Sequence, residues 1–147
     1  MTGRQVRWHS HRGAAAVEVT LLVPLLCVLL AGLAGGARIG WARAQVVEAA
    51  AAGARAATIG SSASAALHQS TVAVHSDLAT AGVRCEGLQV DVDTAAFANP
   101  PGVAGRVTTK ISCLLSLSDV LAPGLPGTVT ITSSASEPLD TFRERRP

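Results

Sequence analysis

An uncharged apolar run from Val19 to Ala37 is the feature that most limits how this chain can fold. Together with the small residues from Ala14 onward, the run would form a helix of roughly 36 Å at about 1.5 Å per residue. This length is sufficient to cross a hydrocarbon core of about 30 Å. We therefore predict a transmembrane helix over residues 14–37. One carboxylate, that of Glu18, lies near the start of this helix, where lipid penalises an unpaired charge by several kcal/mol.

A basic leader precedes the apolar run. The ten acidic residues of the chain all lie after Gly13, whereas residues 1–13 contain arginines and no carboxylate. Positive charge before an apolar span favours a cytoplasmic N-terminus, so we predict a single-pass protein of the cell membrane whose C-terminal part is exported. The formal net charge of +2 comes from this leader. It therefore does not indicate a nucleic-acid partner, which would need basic residues clustered on the folded domain.

Three interpretations fit this N-terminal region. In the first, the region is an uncleaved signal-anchor that tolerates Glu18 at the membrane edge. In the second, it is a cleaved secretory signal ending at residues 42–44, which have the A-x-A form, although its apolar run is long and contains Glu18 and Pro24. In the third, it is a type IV prepilin-like signal that is cut on the cytoplasmic side after Gly13. Ala14 is then the new N-terminus, and Glu18 becomes the fifth mature residue.

The third interpretation supplies Glu18 with a partner. Cleavage after Gly13 creates an α-amine on Ala14, and about 6 Å of helical rise separates this amine from the carboxylate. The amine of a neighbouring subunit can pair with Glu18 and set the stagger between two helices. Glycine suits the cleavage site because a residue without Cβ lets a peptidase approach the backbone closely. We therefore predict that Glu18 registers one helix against another.

The segment over about residues 12–58 resembles the N-terminal region of TadE-like pseudopilins from the tight-adherence pilus systems of bacteria. The matching features are the Arg-Gly end of the leader, the triplet Ala16-Val17-Glu18, Pro24 and the element Gly53-Ala54-Arg55. The resemblance implies processing after Gly13 by the prepilin peptidase of the system. It also implies contact with other pilins or pseudopilins, and a role in pilus assembly rather than catalysis.

Two features differ from the major pilins of such systems. Glu18 is followed by Val19 rather than by Tyr, and the chain is much longer than such a pilin. Both differences indicate a minor pilin or pseudopilin of a Tad-type pilus assembly or secretion system. The alternative is an uncleaved single-pass membrane protein whose exported domain binds a partner and has no role in a filament.

Pro24 and three glycines are notable within and just beyond the predicted span. Proline has no backbone N–H, so we expect a kink or a local melt of the helix at Pro24. Gly32, Gly36 and Gly40 stand four residues apart and form a doubled G-x-x-x-G. This spacing flattens one helix face and allows close helix packing in lipid, although an Ala/Gly-rich chain also produces it by chance.

The helical pattern continues past the span over residues 38–60. Apolar residues fall on one stripe of this segment: Ile39, Val46, Ala50, Ala54 and Ala57. Polar residues cluster on the opposite side, with Arg43 as the exception: Arg38, Gln45, Glu48 and Arg55. We predict a helical stalk that leaves the bilayer, continues to about Ile59 and ends at Gly60 and Ser61. Its small-residue face would pack against its own domain or a neighbouring protein.

Residues 61–147 are predicted to form an exported α+β domain. The segment 61–82 is compatible with a second helix, with an apolar face of Ala66, Leu67, Val74 and Leu78. After it the pattern alternates with a period of two, which predicts three strands. Their inward residues are Leu88, Val90 and Val92, then Val107, Thr109, Ile111, Cys113, Leu115 and Leu117, then Val129 and Ile131. The predicted fold is a long transmembrane and stalk helix, a second helix and a small antiparallel sheet of about three strands.

The cysteines support export. Cys85 and Cys113 lie on neighbouring predicted strands, and we expect them to form a disulfide, with two buried thiols as the alternative. Strict alternation would turn Cys85 toward the polar face, so we predict a bulge at Gly87 that returns it to the core side. Cys27 lies in the span, where we interpret it as lipid-facing packing.

No group of residues indicates an enzyme. His68 and His75 share a helical face near Asp77, but they lack further ligands at the spacing that a metal site requires. Asp91 and Asp93 share one strand face, which we interpret as solvated. The sequence contains no phosphate-binding loop and no nucleophile motif. We predict no catalytic residue, metal, cofactor or small-molecule substrate, and we expect membrane lipid and other pilus proteins as partners.

Overall fold

The computed structural model describes residues 12–100, 102–121 and 124–142, with residues 12–16 described by their backbone alone. The elements are α1 (Arg12–Ile59), α2 (Ala63–Ala81), β1 (Gly87–Asp93), a 3-10 turn (Ala95–Ala98), β2 (Gly105–Ser116), α3 (Leu117–Val120) and β3 (Thr128–Leu139). The α+β class, the long first helix, the second helix and the three-stranded antiparallel sheet are all confirmed.

Helix α1 has 48 residues and would therefore be roughly 72 Å long at about 1.5 Å per residue. The helix passes through Pro24 without a break, so the alternative of a local melt is not observed there, whereas the kink stays a prediction. It ends at Ile59, as predicted. The next residue, Gly60, allows the tight turn into α2, because a Cβ at this position would lie 2.6 Å from the backbone nitrogen of Ala66.

Helix α2 is capped at both ends. The hydroxyl of Ser62 accepts a hydrogen bond from the backbone N–H of Ala65 at 3.2 Å. Gly82 ends the helix with a φ of 72°, a left-handed conformation that favours glycine. The buried residues recur every four positions: Ala66, Ser70, Val74 and Leu78. The prediction for Leu67 is wrong, since this side chain is exposed and Ser70 takes a place on the buried face instead.

The three strands form an antiparallel sheet in the order β1-β2-β3. Val90 lies opposite Ile111, which lies opposite Ser133 on the third strand. The predicted inward residues are the more buried ones along each strand, up to Leu115. Leu117 differs, because β2 ends at Ser116 and this residue begins the short helix α3.

The predicted bulge at Gly87 falls at the first residue of β1 and stays a prediction there. The pairing of β1 with β2 is regular from Gly87 onward, and Leu88 lies opposite Cys113. Cys85 instead precedes the first strand, in the connection that follows α2. In this connection the N–H of Glu86 donates to the carbonyl of Leu114, the residue opposite Gly87, and Cys85 reaches the core side as predicted.

One face of the sheet is covered by the two helices, and two clusters of buried residues fill the interface. The first cluster is centred on Ala42, Val46, Ala49, Ala50, Val74, Leu78, Val83, Ile111, Cys113, Leu115, Val120 and Ile131. The second cluster lies near the α1–α2 turn and contains Ala57, Ala66, Phe97, Val107 and Leu139. Alanine and valine dominate both clusters, so the two helices and the sheet approach each other closely and the core is thin.

Candidate assembly surface on the N-terminal helix

Helix α1 consists of two halves with different surroundings. Every described side chain from Val17 to Ala34 is exposed, and Gly35 is the first buried residue. From Gly35 to Ile59 the helix packs against α2, α3 and the sheet. We call Val17–Ala34 the bare half and Gly35–Ile59 the packed half. The stalk predicted from the sequence is therefore part of the domain core, and its small-residue face contacts its own domain.

The bare half presents large aliphatic side chains in all directions. The consecutive residues Leu21, Leu22 and Val23, which face different sides of the helix, are each more than half exposed. Glu18 lies at the start of this half and is exposed as well. Among the described side chains no basic group lies within ion-pair distance of Glu18. Its predicted partner, the amine of Ala14, belongs to a residue described by its backbone alone, and the pairing stays a prediction.

Two groups of glycines lie along α1. A Cβ placed on Gly32, Gly36 or Gly40 would meet nothing within 4 Å, so this predicted face is open in the part of the chain that the structure describes. Gly35 and Gly53 differ, because each is the point at which another element touches the helix. A Cβ on Gly35 would lie 2.5 Å from Cδ2 of Leu121.

Gly53 is at the tightest junction of α1 with the domain. A Cβ at this position would lie 2.7 Å from Cγ2 of Val74 and 3.0 Å from Oγ of Ser70. Beneath it, the hydroxyls of Ser70 and Thr109 share a buried hydrogen bond of 3.0 Å that links α2 to β2. Gly53 belongs to the Gly-Ala-Arg element noted in the sequence, but its packing role was not predicted. Its position between buried residues Ala50 and Ala57 is the signal that would have identified it.

The outer side of the packed half is polar, as predicted. Arg55 donates a hydrogen bond to the Glu48 carboxylate at 2.8 Å, two helical turns apart, and both side chains are mostly exposed. Arg43 is also exposed, so this exception in the pattern does not enter the core. Exposed ion pairs of this kind contribute little to stability.

The predicted disulfide is present. Cys85 and Cys113 are joined across 5.3 Å between their Cα atoms, and the bond ties the connection after α2 to the middle strand. Cys113 is fully buried in the first cluster. Cys27 is a free, exposed cysteine on the bare half.

The remaining polar residues do not form a catalytic arrangement in the part of the chain that the structure describes. In these ranges no three His, Cys, Asp or Glu side chains come together in a way that could hold a metal ion. His68 and His75 lie on the outer side of α2 and are both exposed. Asp91 and Asp93 are on the exposed face of β1, as predicted.

These features define a class of protein with one apolar N-terminal helix that is long enough to span a membrane, and a small α+β domain built on the second half of that helix. The family model for TadE-like proteins matches residues 13–55, which confirms the resemblance predicted from the sequence. The match associates the chain with the Tad pilus, a structural rather than an enzymatic assembly. It covers less than a third of the chain and ends within α1, so the sheet lies outside it. No curated protein and no solved structure matches the chain.

Proposed function

We propose that this chain is a minor pilin or pseudopilin of a Tad-type pilus assembly or secretion system, and that it docks through its N-terminal helix. The main support for the proposal is that the family match overlaps the bare half of α1. The match at residues 13–55 includes all of Val17–Ala34, the part of the helix whose described side chains are all exposed. A segment of this kind needs either lipid or other helices around it.

The docking step depends on the charge of Glu18. A carboxylate near the end of a lipid-embedded helix costs several kcal/mol unless it reaches the interface or finds a positive partner. Cleavage after Gly13 by a prepilin peptidase supplies that partner as the α-amine of Ala14. In a neighbouring subunit, this amine would pair with Glu18 and fix the stagger of the two helices.

The glycine face formed by Gly32, Gly36 and Gly40 is the second element of the docking surface. A Cβ at any of the three positions would meet nothing within 4 Å among the described residues, which leaves this face open to a neighbouring helix. Small residues spaced four apart allow close approach of two helices in lipid, where van der Waals packing drives association. The charged pair would set the register, and this face would supply the packing.

The N-terminus of the mature protein tests the processing step. We expect protein recovered from its native host to begin with Ala14 when its N-terminal sequence is determined. A chain that begins with Met1 would instead support the alternative function, an uncleaved membrane anchor whose exported domain binds a partner. The observation that favours this alternative is that Gly13 and Ala14 lie within α1, so that the peptidase would have to unwind the first turn.

The substitution Glu18→Ala tests the registration step. We expect the variant to be processed after Gly13 but to fail in assembly, because the helix can no longer be paired in a defined register. Val19→Ala is the matched control, since it shortens an exposed neighbouring side chain without removing a charge. Piliation or secretion in the host, measured together with the N-terminal sequence, is the readout. Normal assembly of the Glu18→Ala variant would exclude the registration role.

A further inference from the structure

The end of the domain nearest the bare half is built from two connections and the adjoining turn of α1. The first connection joins α2 to β1 and contains Gly82 and Arg84, and the second joins β2 to β3 and contains α3, Leu121 and Leu125. Both lie at this end because α2 and β2 run back toward the bare half. We call this end of the domain, together with Arg38 and Trp41 on α1, the basal surface.

The basal surface begins at the level where the predicted span ends. Leu121 packs directly against Gly35, the first buried residue of α1. From Ala14 to Gly35 the helix rises roughly 32 Å at about 1.5 Å per residue. A hydrocarbon core of about 30 Å would therefore end close to the contact between Leu121 and Gly35. If α1 spans a bilayer, this contact places the basal surface against the membrane boundary.

The tip of the second connection is apolar and exposed. Leu125 is 43% exposed, and the neighbouring Pro126 and Gly127 are exposed as well. The sequence contains no charged residue from Val120 to Ser136. A leucine on an uncharged, exposed tip at this height is suited to the boundary between acyl chains and headgroups.

A recess beside this uncharged tip is lined by charged side chains. It has a volume of about 460 Å³ and is lined by Arg38, Trp41, Arg84 and Asp119, among others. The recess therefore carries two guanidinium groups and one carboxylate. Within the ranges 12–100, 102–121 and 124–142, neither arginine has an ion-pair partner. Arginine binds phosphate oxygens readily, and tryptophan is enriched where membranes meet water.

We propose that the basal surface is a lipid-binding surface on the exported side of the membrane. In this arrangement Leu125 enters the acyl-chain boundary, Trp41 lies at headgroup level, and Arg38 and Arg84 bind the phosphate groups of lipids. The inference rests on the membrane span that forms part of the proposed function. Its consequence is that the domain is held in a fixed orientation on the bilayer before assembly.

Nitroxide labels at single cysteines test this arrangement in the full chain. The background is Cys27→Ala with the disulfide intact, in nanodiscs of phosphatidylcholine and phosphatidylglycerol. The test position is Leu125→Cys, and the control is Val103→Cys, whose parent residue is 46% exposed at the far end of the domain. Leu29→Cys reports on the span itself. Collision of each label with oxygen, which partitions into lipid, is compared with collision with a water-soluble nickel chelate.

We expect the ratio of oxygen to nickel collisions to be several-fold higher at position 125 than at position 103, and higher still at position 29. A lipid-like value at position 29 with an aqueous value at position 125 would overturn the inference and leave the span intact. An aqueous value at position 29 would overturn both. Protection of position 125 from both reagents would also overturn the inference, because it would indicate a contact with another protein copy.

The fluorescence of Trp41 gives a second measurement that needs no cysteine. In a Trp8→Phe variant, Trp41 is the remaining tryptophan of the chain. We expect lipids brominated close to the headgroup to quench its emission more strongly than lipids brominated at the chain ends. The double substitution Arg38→Gln and Arg84→Gln should lessen this quenching in anionic vesicles. Quenching that is absent, or unaffected by the double substitution, would contradict the phosphate contacts.

Discussion

The two halves of α1 differ in the size of their apolar side chains and in whether those side chains are buried. The bare half carries leucines and valines that are exposed, including Leu21 and Val28 at about 70%. The packed half buries alanines and glycines completely, as at Ala49 and Ala54. Small side chains let α2 and the sheet approach the helix axis, whereas bulky aliphatic ones suit a lipid environment. The size of the apolar residues therefore distinguishes a helix that packs within its own domain from one that needs an external environment.

Loss of the disulfide is expected to give the largest effect, because the bond lies in the domain that covers the packed half. The bond closes a loop with a sequence separation of 28, which corresponds to about 3–4 kcal/mol of stabilisation in the chain-entropy account. We expect the double variant Cys85→Ala and Cys113→Ala to lose this amount in chemical unfolding of the full chain in detergent. The control, Cys27→Ala, removes an exposed thiol from the bare half and should unfold like the parent. Equal stability of all three proteins would contradict the importance of this bond.

Gly53→Ala should sharpen the comparison with a smaller effect. The added methyl group would lie 2.7 Å from Val74, and overpacking of this kind costs about 1–3 kcal/mol. Gly36→Ala is the matched control on the same helix, since Gly36 is exposed and a Cβ there would meet nothing within 4 Å. It should leave the stability unchanged or raise it by up to about 1 kcal/mol, because alanine favours the helix more than glycine does. The comparison fails if both variants change the free energy of unfolding alike.

The smallest effect is expected on the outer side of the packed half. Arg55→Ala removes the ion pair with Glu48, whose side chains are both more than half exposed. We expect a loss of at most about 0.5 kcal/mol, which should vanish at high salt. Arg43→Ala removes an exposed charge from the same helix and serves as the control. A loss as large as that of Gly53→Ala would show that the outer face also stabilises the domain.

Local sequence patterns predicted the main helices and strands, because the periodicity and the end of each element depend on residues close together in the sequence. The end of α1 at Ile59 follows from the Gly-Ser pair after it, and the inward faces of the strands follow from alternation. The disulfide was predicted from the two cysteines outside the span. The errors at Leu67 and Leu117 share one physical cause. Each depends on where an element ends or which side of it meets a neighbour, and packing between distant segments decides both.

The sequence by itself determined that one helix would run from the apolar segment into a small α+β domain, because helical and strand periodicities are local properties of the chain. Only the tertiary structure revealed where the domain begins to cover that helix. The division at Gly35 depends on Leu121, which is far away in sequence and reaches the helix through the fold of the sheet. For the same reason the role of Gly53 became visible only when Val74 and Thr109 were brought against it.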